Sequence, residues 1–97
     1  MRILRIRMDR LESSWEPVSS EYELLGGRGL IAGMMLAEVP PHCDPLGPNN
    51  KLVFAPGLLG GTSVSSSGRL SVGGKSPLTG GVKEANCGGS GGSDLAR

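Results

Sequence analysis

Apolar and polar positions nearly alternate at the start of the chain: Ile3, Leu4, Ile6 and Met8 sit among Arg2, Arg5, Arg7 and Arg10. A period close to two predicts a strand with one solvated face. Residues 11–14 then read as a turn, and 15–18 as the second strand of a hairpin, held to a sheet edge by Pro17. The next periodicity is helical. Leu30, Ile31, Met34 and Met35 recur at i, i+1, i+4 and i+5, and Val39 continues the stripe a turn later. One main helix is therefore expected within 21–39, its body at about 24–39. Pro40-Pro41 ends it, and Gly26-Gly27-Arg28-Gly29 marks its entry or a bend there. Residues 41–50, PHCDPLGPNN, form a loop by their prolines and turn formers, and 51–55, KLVFA, a buried strand closed by Pro56-Gly57.

The remaining pattern is set by glycine. Five Gly-Gly pairs fall within 56–92, namely Gly60-Gly61, Gly73-Gly74, Gly80-Gly81, Gly88-Gly89 and Gly91-Gly92. Glycine serves where φ must be positive or where backbone must approach another group with no Cβ between. The apolar pieces between the pairs, Leu58-Leu59, Leu70 with Val72, Leu78 and Val82, are too short for helices. They read as strands or strand ends joined by glycine turns, which makes a surface lined by backbone. The fold class is α+β: a small β-rich domain of short strands and glycine turns with one main helix.

Composition changes this picture in two ways. With one Trp, one Tyr, one Phe and 37% hydrophobic residues, the available core is thin, so 97 residues make at most one small domain. A net charge of +1 supplies no field for nucleic acid or for an anionic membrane. No apolar run reaches membrane-spanning length, and the basic N-terminus lacks the apolar core of a secretory signal, which favours the cytoplasm. Cys43 and Cys87 lie far apart without a Cys-x-x-Cys motif. Two thiols are favoured, although sequence alone leaves a disulfide open.

Several candidate motifs weaken on inspection. The hairpin arginines offer an anion-binding face, but a solvated strand face explains them more simply. His42, Cys43 and Asp44 are metal ligands by type only, since three consecutive side chains converge poorly on one ion. Gly27-x-Gly29-x-x-x-Gly33 misses the dinucleotide spacing and has no βαβ setting. In 68–76, GRLSVGGKS, the first glycine of a phosphate-cradling loop would fall at Arg69, and Pro77 follows where a helix should start.

A longer set of short motifs is more specific. It comprises Gly27-Arg28-Gly29-Leu30, Asp44-Pro45-Leu46 with Asn50-Lys51-Leu52, Ala55-Pro56-Gly57 with Gly61-Thr62-Ser63, and Gly68-Arg69. Lys75-Ser76-Pro77-Leu78-Thr79-Gly80 and Ala85-Asn86-Cys87-Gly88-Gly89 complete it. In order and spacing, 26–89 resembles the N-terminal domain of the tungsten-dependent aldehyde:ferredoxin oxidoreductases. The resemblance implies a saddle-like, β-rich, tungstopterin-binding domain over 1–97, incomplete at its C-terminal end. On that saddle would lie a tungsten (or molybdenum) bis-pterin whose phosphates are bridged by magnesium. It implies cofactor contact by Arg69, a backbone carbonyl from Asn86 to the magnesium, and Gly88 lying against the cofactor. A guanidinium fork, glycine-turn N–H groups and hard oxygen ligands suit such a group chemically.

The implied reaction oxidises an aldehyde to a carboxylic acid and passes electrons through a [4Fe-4S] cluster to ferredoxin. Two cysteines cannot ligate such a cluster, so its ligands and the catalytic residues would lie outside this chain, which alone is expected to be inactive. Implied partners are the remainder of the polypeptide or a companion chain, ferredoxin, and a second copy in a homodimer. Three departures stand out: Cys87 replaces a small hydroxyl residue, 64–67 lacks a proline, and the chain ends as SGGSDLAR. That ending reads as a truncated frame, a helix start capped by Ser93 or Asp94, or a flexible tail. The competing readings are a non-catalytic remnant or α+β interaction module that binds no pterin, and an anion or nucleotide binder using the glycine loops alone.

Overall fold

The helical stripe is where the core forms. Ile31, Met34, Met35 and Val39 are all buried, and together with Tyr22 and Ala55 they are the buried apolar side chains among the described residues. The computed structural model describes residues 2–20, 22–63 and 68–96, so the loop at 64–67 lies outside the described residues. The elements, in order, are β1 (Arg2–Arg7), β2 (Glu12–Pro17), α1 (Gly27–Glu38), β3 (Val53–Pro56), β4 (Leu70–Lys75), β5 (Val82–Cys87) and α2 (Gly91–Ala96). β1 and β2 pair antiparallel as one sheet, and β3-β4-β5 form a second, also antiparallel. This is the α+β architecture that the short apolar pieces implied.

α1 starts three residues later than expected. Residues 22–25 instead close a turn, in which Tyr22 N–H donates to the Ser19 carbonyl and Leu25 N–H to the Tyr22 carbonyl. Gly26 is extended and Gly27 takes φ +54, so the glycine pair resets the backbone before the helix begins. At the other end Val39 is extended, its N–H still bonded to the Met35 carbonyl, and Pro40 prevents continuation. α1 packs over β3 and β4, where Ala55 is fully buried.

The glycine pairs do two different jobs, and only some of them turn the chain. Gly61 and Gly80 do, with φ +76 and +75. Gly73-Gly74, read from sequence as a turn, lies inside β4. A Cβ on Gly73 would sit 2.6 Å from Ile31 Cγ2, and one on Gly74 would sit 2.6 Å from the Lys51 carbonyl oxygen. These are close approaches of helix and loop to the strand. Leu58-Leu59 and Leu78 likewise fall in turns and not in strands.

β3 is shorter than 51–55 and is buried on one face only: Ala55 is covered, while Phe54 is 54% exposed. The chain end is neither tail nor late helix start, because α2 begins at Gly91, before Ser93 and Asp94. The hairpin turn is also earlier than expected, at 8–11, with Leu11 in the left-handed region at φ 53. β2 therefore starts at Glu12.

The hairpin departs from a simple wet-and-dry strand. Leu4 and Ile6 are exposed, and Arg2 lies 4.5 Å over the Trp15 ring. Arg5 is only partly solvated: its Nε pairs with Glu16 Oε1 and its Nη1 with Glu38 Oε1, each at 2.7 Å. The Arg5 hydrogen bond holds the Glu38 carboxyl below its usual range against a burial penalty, with help from the Tyr22 hydroxyl donating to Glu38 Oε2 at 3.0 Å. The two glutamates in turn raise Arg5. Both cysteines are free thiols, Cys43 half-buried and Cys87 exposed.

Candidate functional site

The site is built on the strand register. Ala55, Ser71 and Asn86 lie opposite one another across β3, β4 and β5. Arg69 immediately precedes β4 and Gly88 immediately follows β5, flanking the Leu70–Cys87 pair. Side chains alternate along a strand, so Arg69, Ser71, Asn86 and Gly88 occupy one sheet face at four adjacent positions. It is the face α1 covers: a Cβ on Gly27 would lie 3.5 Å from Ser71 Oγ. The helix thus begins over Ser71 and leaves Asn86 and Arg69 open.

Diagonal neighbours across a ladder are within reach of a long side chain. Arg69 Nε donates to Asn86 Oδ1 at 2.5 Å, and Asn86 Nδ2 donates to Ser71 Oγ at 2.8 Å. Gly88 makes room for the guanidinium, since a Cβ there would stand 3.2 Å from Arg69 Nη1. A cavity of about 250 Å³ opens beside it, lined by Gly68, Arg69, Gly88 and Gly89. Gly89 takes φ +105, so this wall requires glycine. From behind, Gly92 of α2 presses against the backbone, where a Cβ would sit 2.4 Å from the Gly68 carbonyl oxygen and 2.6 Å from that of Arg69. α2 thereby fixes the segment that carries Arg69.

The three residues singled out from sequence, Arg69, Asn86 and Gly88, therefore come together. Ser71, Gly68 and Gly89 join them, and these were missed as site residues because only the register reveals that Ser71 faces Asn86. The donor set is a guanidinium with its Nη groups toward a glycine-lined hollow, which suits an oxyanion or the acceptor edge of a heterocycle. Asn86 lies on β5, an edge strand of its sheet.

Other motif residues turn out to be structural. Asn50 Nδ2 donates to the carbonyls of Pro45 and Lys75, while its Oδ1 accepts from the N–H groups of Lys51 and Lys75. Lys75 Nζ binds the carbonyls of Pro41 and Cys43. Together they fasten the 41–50 loop to β4. Ser76 and Thr79 hydroxyls cap the β4–β5 turn by accepting from Leu78, Thr79 and Gly81 N–H groups. A larger depression, about 500 Å³, lies on the opposite sheet face, where Leu46, Leu52, Val72 and Ala85 contribute to its lining. Lys51, Lys75 and Lys83 also line it, of which Lys75 Nζ is engaged by the Pro41 and Cys43 carbonyls. No cluster of three or more His, Cys, Asp or Glu side chains suited to a metal occurs among the described residues, His42, Cys43 and Asp44 included.

Comparison with known proteins gives one consistent result. Residues 3–97 match the family described as "Aldehyde ferredoxin oxidoreductase, N-terminal domain". The chain is 44% identical over 96 residues to a tungsten-containing aldehyde ferredoxin oxidoreductase of Thermococcus kodakarensis, and 42% identical to one of Pyrococcus furiosus. In each case 97% of this chain is covered, and it spans 16% of the length of the relative. Among solved structures, the active site complex BamBC of benzoyl coenzyme A reductase, bound to 1,5-dienoyl-CoA, superposes with a TM-score of 0.91 at 31% identity. That match covers 98% of this chain and 15% of that one.

Proposed function

Because the chain belongs to the aldehyde ferredoxin oxidoreductase family through that family's N-terminal domain, we propose that it is the cofactor-binding portion of a tungstopterin oxidoreductase. The observation that carries this reading is a glycine-lined hollow that Arg69 and Gly88 border, with the Arg69 guanidinium bonded to Asn86. Arg69 would hold a phosphate or pterin acceptor through its Nη groups, the part of the fork that the bond from Nε to Asn86 leaves available. Gly88 and Gly89 would let the cofactor approach the backbone, and the Asn86 carbonyl would serve magnesium. When bound, the tungsten (or molybdenum) bis-pterin supplies two-electron oxidation of an aldehyde to a carboxylic acid.

The protein's part in that chemistry is orientation and charge. Arg69 offsets anionic charge, and α1 and α2, both packed against the sheet, keep the guanidinium and the glycine wall in fixed relation. The reading extends to a [4Fe-4S] cluster held by residues beyond this chain, ferredoxin as electron acceptor, a cytoplasmic setting, and assembly with the rest of the polypeptide or a companion chain, optionally as a homodimer. Its support is the family relationship together with a cysteine count of two.

The test is Arg69→Ala in the complete enzyme, with tungsten and pterin measured per protein after gel filtration. Cofactor content should fall at least severalfold, and Arg69→Lys should restore little of it, because an ammonium cannot reproduce the planar fork. Wild-type content in Arg69→Ala would remove the guanidinium from the cofactor site.

A further inference from the structure

We infer that Ser71 is the positioning residue that sets the direction of the Arg69 guanidinium, acting through the amide of Asn86. The inference rests on the reading that Arg69 holds the cofactor, and it adds a residue that neither the sequence motifs nor the family comparison assigns. Ser71 is 3% exposed and is the one buried polar residue among the described residues. A buried hydroxyl in a strand interior is retained at a cost unless it is hydrogen-bonded. Its bond is to Asn86 Nδ2, at 2.8 Å.

The logic follows from which groups donate. A guanidinium has donors and no acceptor, so the Asn86 amide must turn its Oδ1 toward Arg69. Its NH₂ then points the opposite way and requires an acceptor there, and Ser71 Oγ is that acceptor. With both ends of the amide held, the Nε–H direction is fixed, and in a planar fork this fixes both Nη groups as well. Ser71 is itself well anchored, on the central strand between Ala55 and Asn86 and beneath Gly27 at the start of α1. The relay therefore runs from the helix-covered core to the open cavity in two hydrogen bonds.

Removing the hydroxyl leaves the amide NH₂ without its acceptor and frees Asn86 to rotate, and the guanidinium loses its preset direction without losing its charge. The experiment is a double-mutant cycle in the complete holoenzyme, comparing wild type, Ser71→Ala, Arg69→Ala and the double variant. The rate of tungsten loss under dialysis is followed by elemental analysis, and melting temperatures serve as a fold control. Ser71→Cys leaves no cavity, its thiol being somewhat larger than the hydroxyl, while offering a poor acceptor, and covers the case in which the alanine variant folds badly.

Ser71→Ala and Ser71→Cys should each lose tungsten about fivefold faster than wild type, in line with an amide left without its partner. In the Arg69→Ala background, Ser71→Ala should add nothing. An equally large Ser71 effect in that background would show a merely structural role and overturn the inference. So would an unchanged rate in the single Ser71 variants while Arg69→Ala is fast, which would leave the Arg69 reading intact. Should Arg69→Ala itself behave as wild type, both would fall.

Discussion

The β1–β2 hairpin offers a direct test of how thinly this chain is held together. No Cα of β1 or β2 comes within 8 Å of a Cα in the other helices and strands, so what ties these two strands to α1 is the reach of long side chains. Arg5 supplies that reach, spanning from Glu16 on its own hairpin to Glu38 at the end of α1. The perturbation is Glu38→Gln. Side-chain exposures of 31% for Arg5 and 23% for Glu38 put the pair between a surface ion pair and a sheltered one. Loss of the charge should therefore cost about 1–2 kcal/mol, or about 5- to 30-fold in the equilibrium for local opening. A two-stranded hairpin has little stability of its own, so the loss should appear in the hairpin first. Hydrogen exchange read by mass spectrometry should show faster exchange in peptides from 2–17 and unchanged exchange in β4 and β5. The sign with pH is also fixed. Glu38 titrates below its ordinary value of 4.5 in the folded chain, so its contribution is present above that value and is lost as pH falls through the lowered one. The difference between wild type and Glu38→Gln should accordingly be full at pH 7 and vanish under more acidic conditions. Equal acceleration across both sheets, or a difference that persists in acid, would refute the account of the hairpin as tethered by this ion pair.

Two further substitutions test the roles given to glycine and to the loop. Gly73→Ala should destabilise by about 1–3 kcal/mol in a thermal melt, because the new methyl meets Ile31 Cγ2 at 2.6 Å and the Lys83 carbonyl at 3.1 Å; Gly57→Ala, with nothing within 4 Å, should change little. Asn50→Ala removes one donated and one accepted bond to Lys75 of β4, together with the local bonds to Pro45 and Lys51, and should cost about 2–3 kcal/mol, with limited proteolysis appearing first within the 41–50 loop.

The parts of the fold legible in the sequence are those where a single periodicity acts alone. The α1 stripe was readable because Ile31, Met34, Met35 and Val39 all serve one core, and the proline pair ends it without ambiguity. Glycine was legible as punctuation but not as to kind. Gly80 and Gly73 look alike in sequence, yet one supplies a positive φ and the other a surface against which Ile31 can pack, a property of the partner and not of the glycine. Hairpin registration failed for a related reason: nothing in the residue type announces that Leu11 takes the left-handed conformation. At the candidate site Arg69, Asn86 and Gly88 came from resemblance, whereas Ser71 required knowing that positions 71 and 86 are opposite each other. Pairing across 15 residues of sequence is fixed by the β4–β5 turn, whose Ser76 and Thr79 caps become apparent only once the chain is folded.

The two kinds of relative narrow what this domain contributes. One is named for aldehydes and ferredoxin and the other for benzoyl coenzyme A, yet the chain aligns with both over nearly its whole length, at 44% and 31% identity. A backbone that superposes at a TM-score of 0.91 on a reductase named for so different a substrate is a poor place to encode a choice of substrate. What this backbone does present is a sheet face where glycines hold back and one guanidinium is aimed by an amide. Arrangements of that type recognise charge and planarity, properties of a cofactor common to several reactions, and are indifferent to the molecule being oxidised or reduced. On the proposed reading, substrate selection belongs to the portion of such enzymes that this chain does not span. Exchanging residues 1–97 between two such enzymes should then alter cofactor retention before it alters substrate preference.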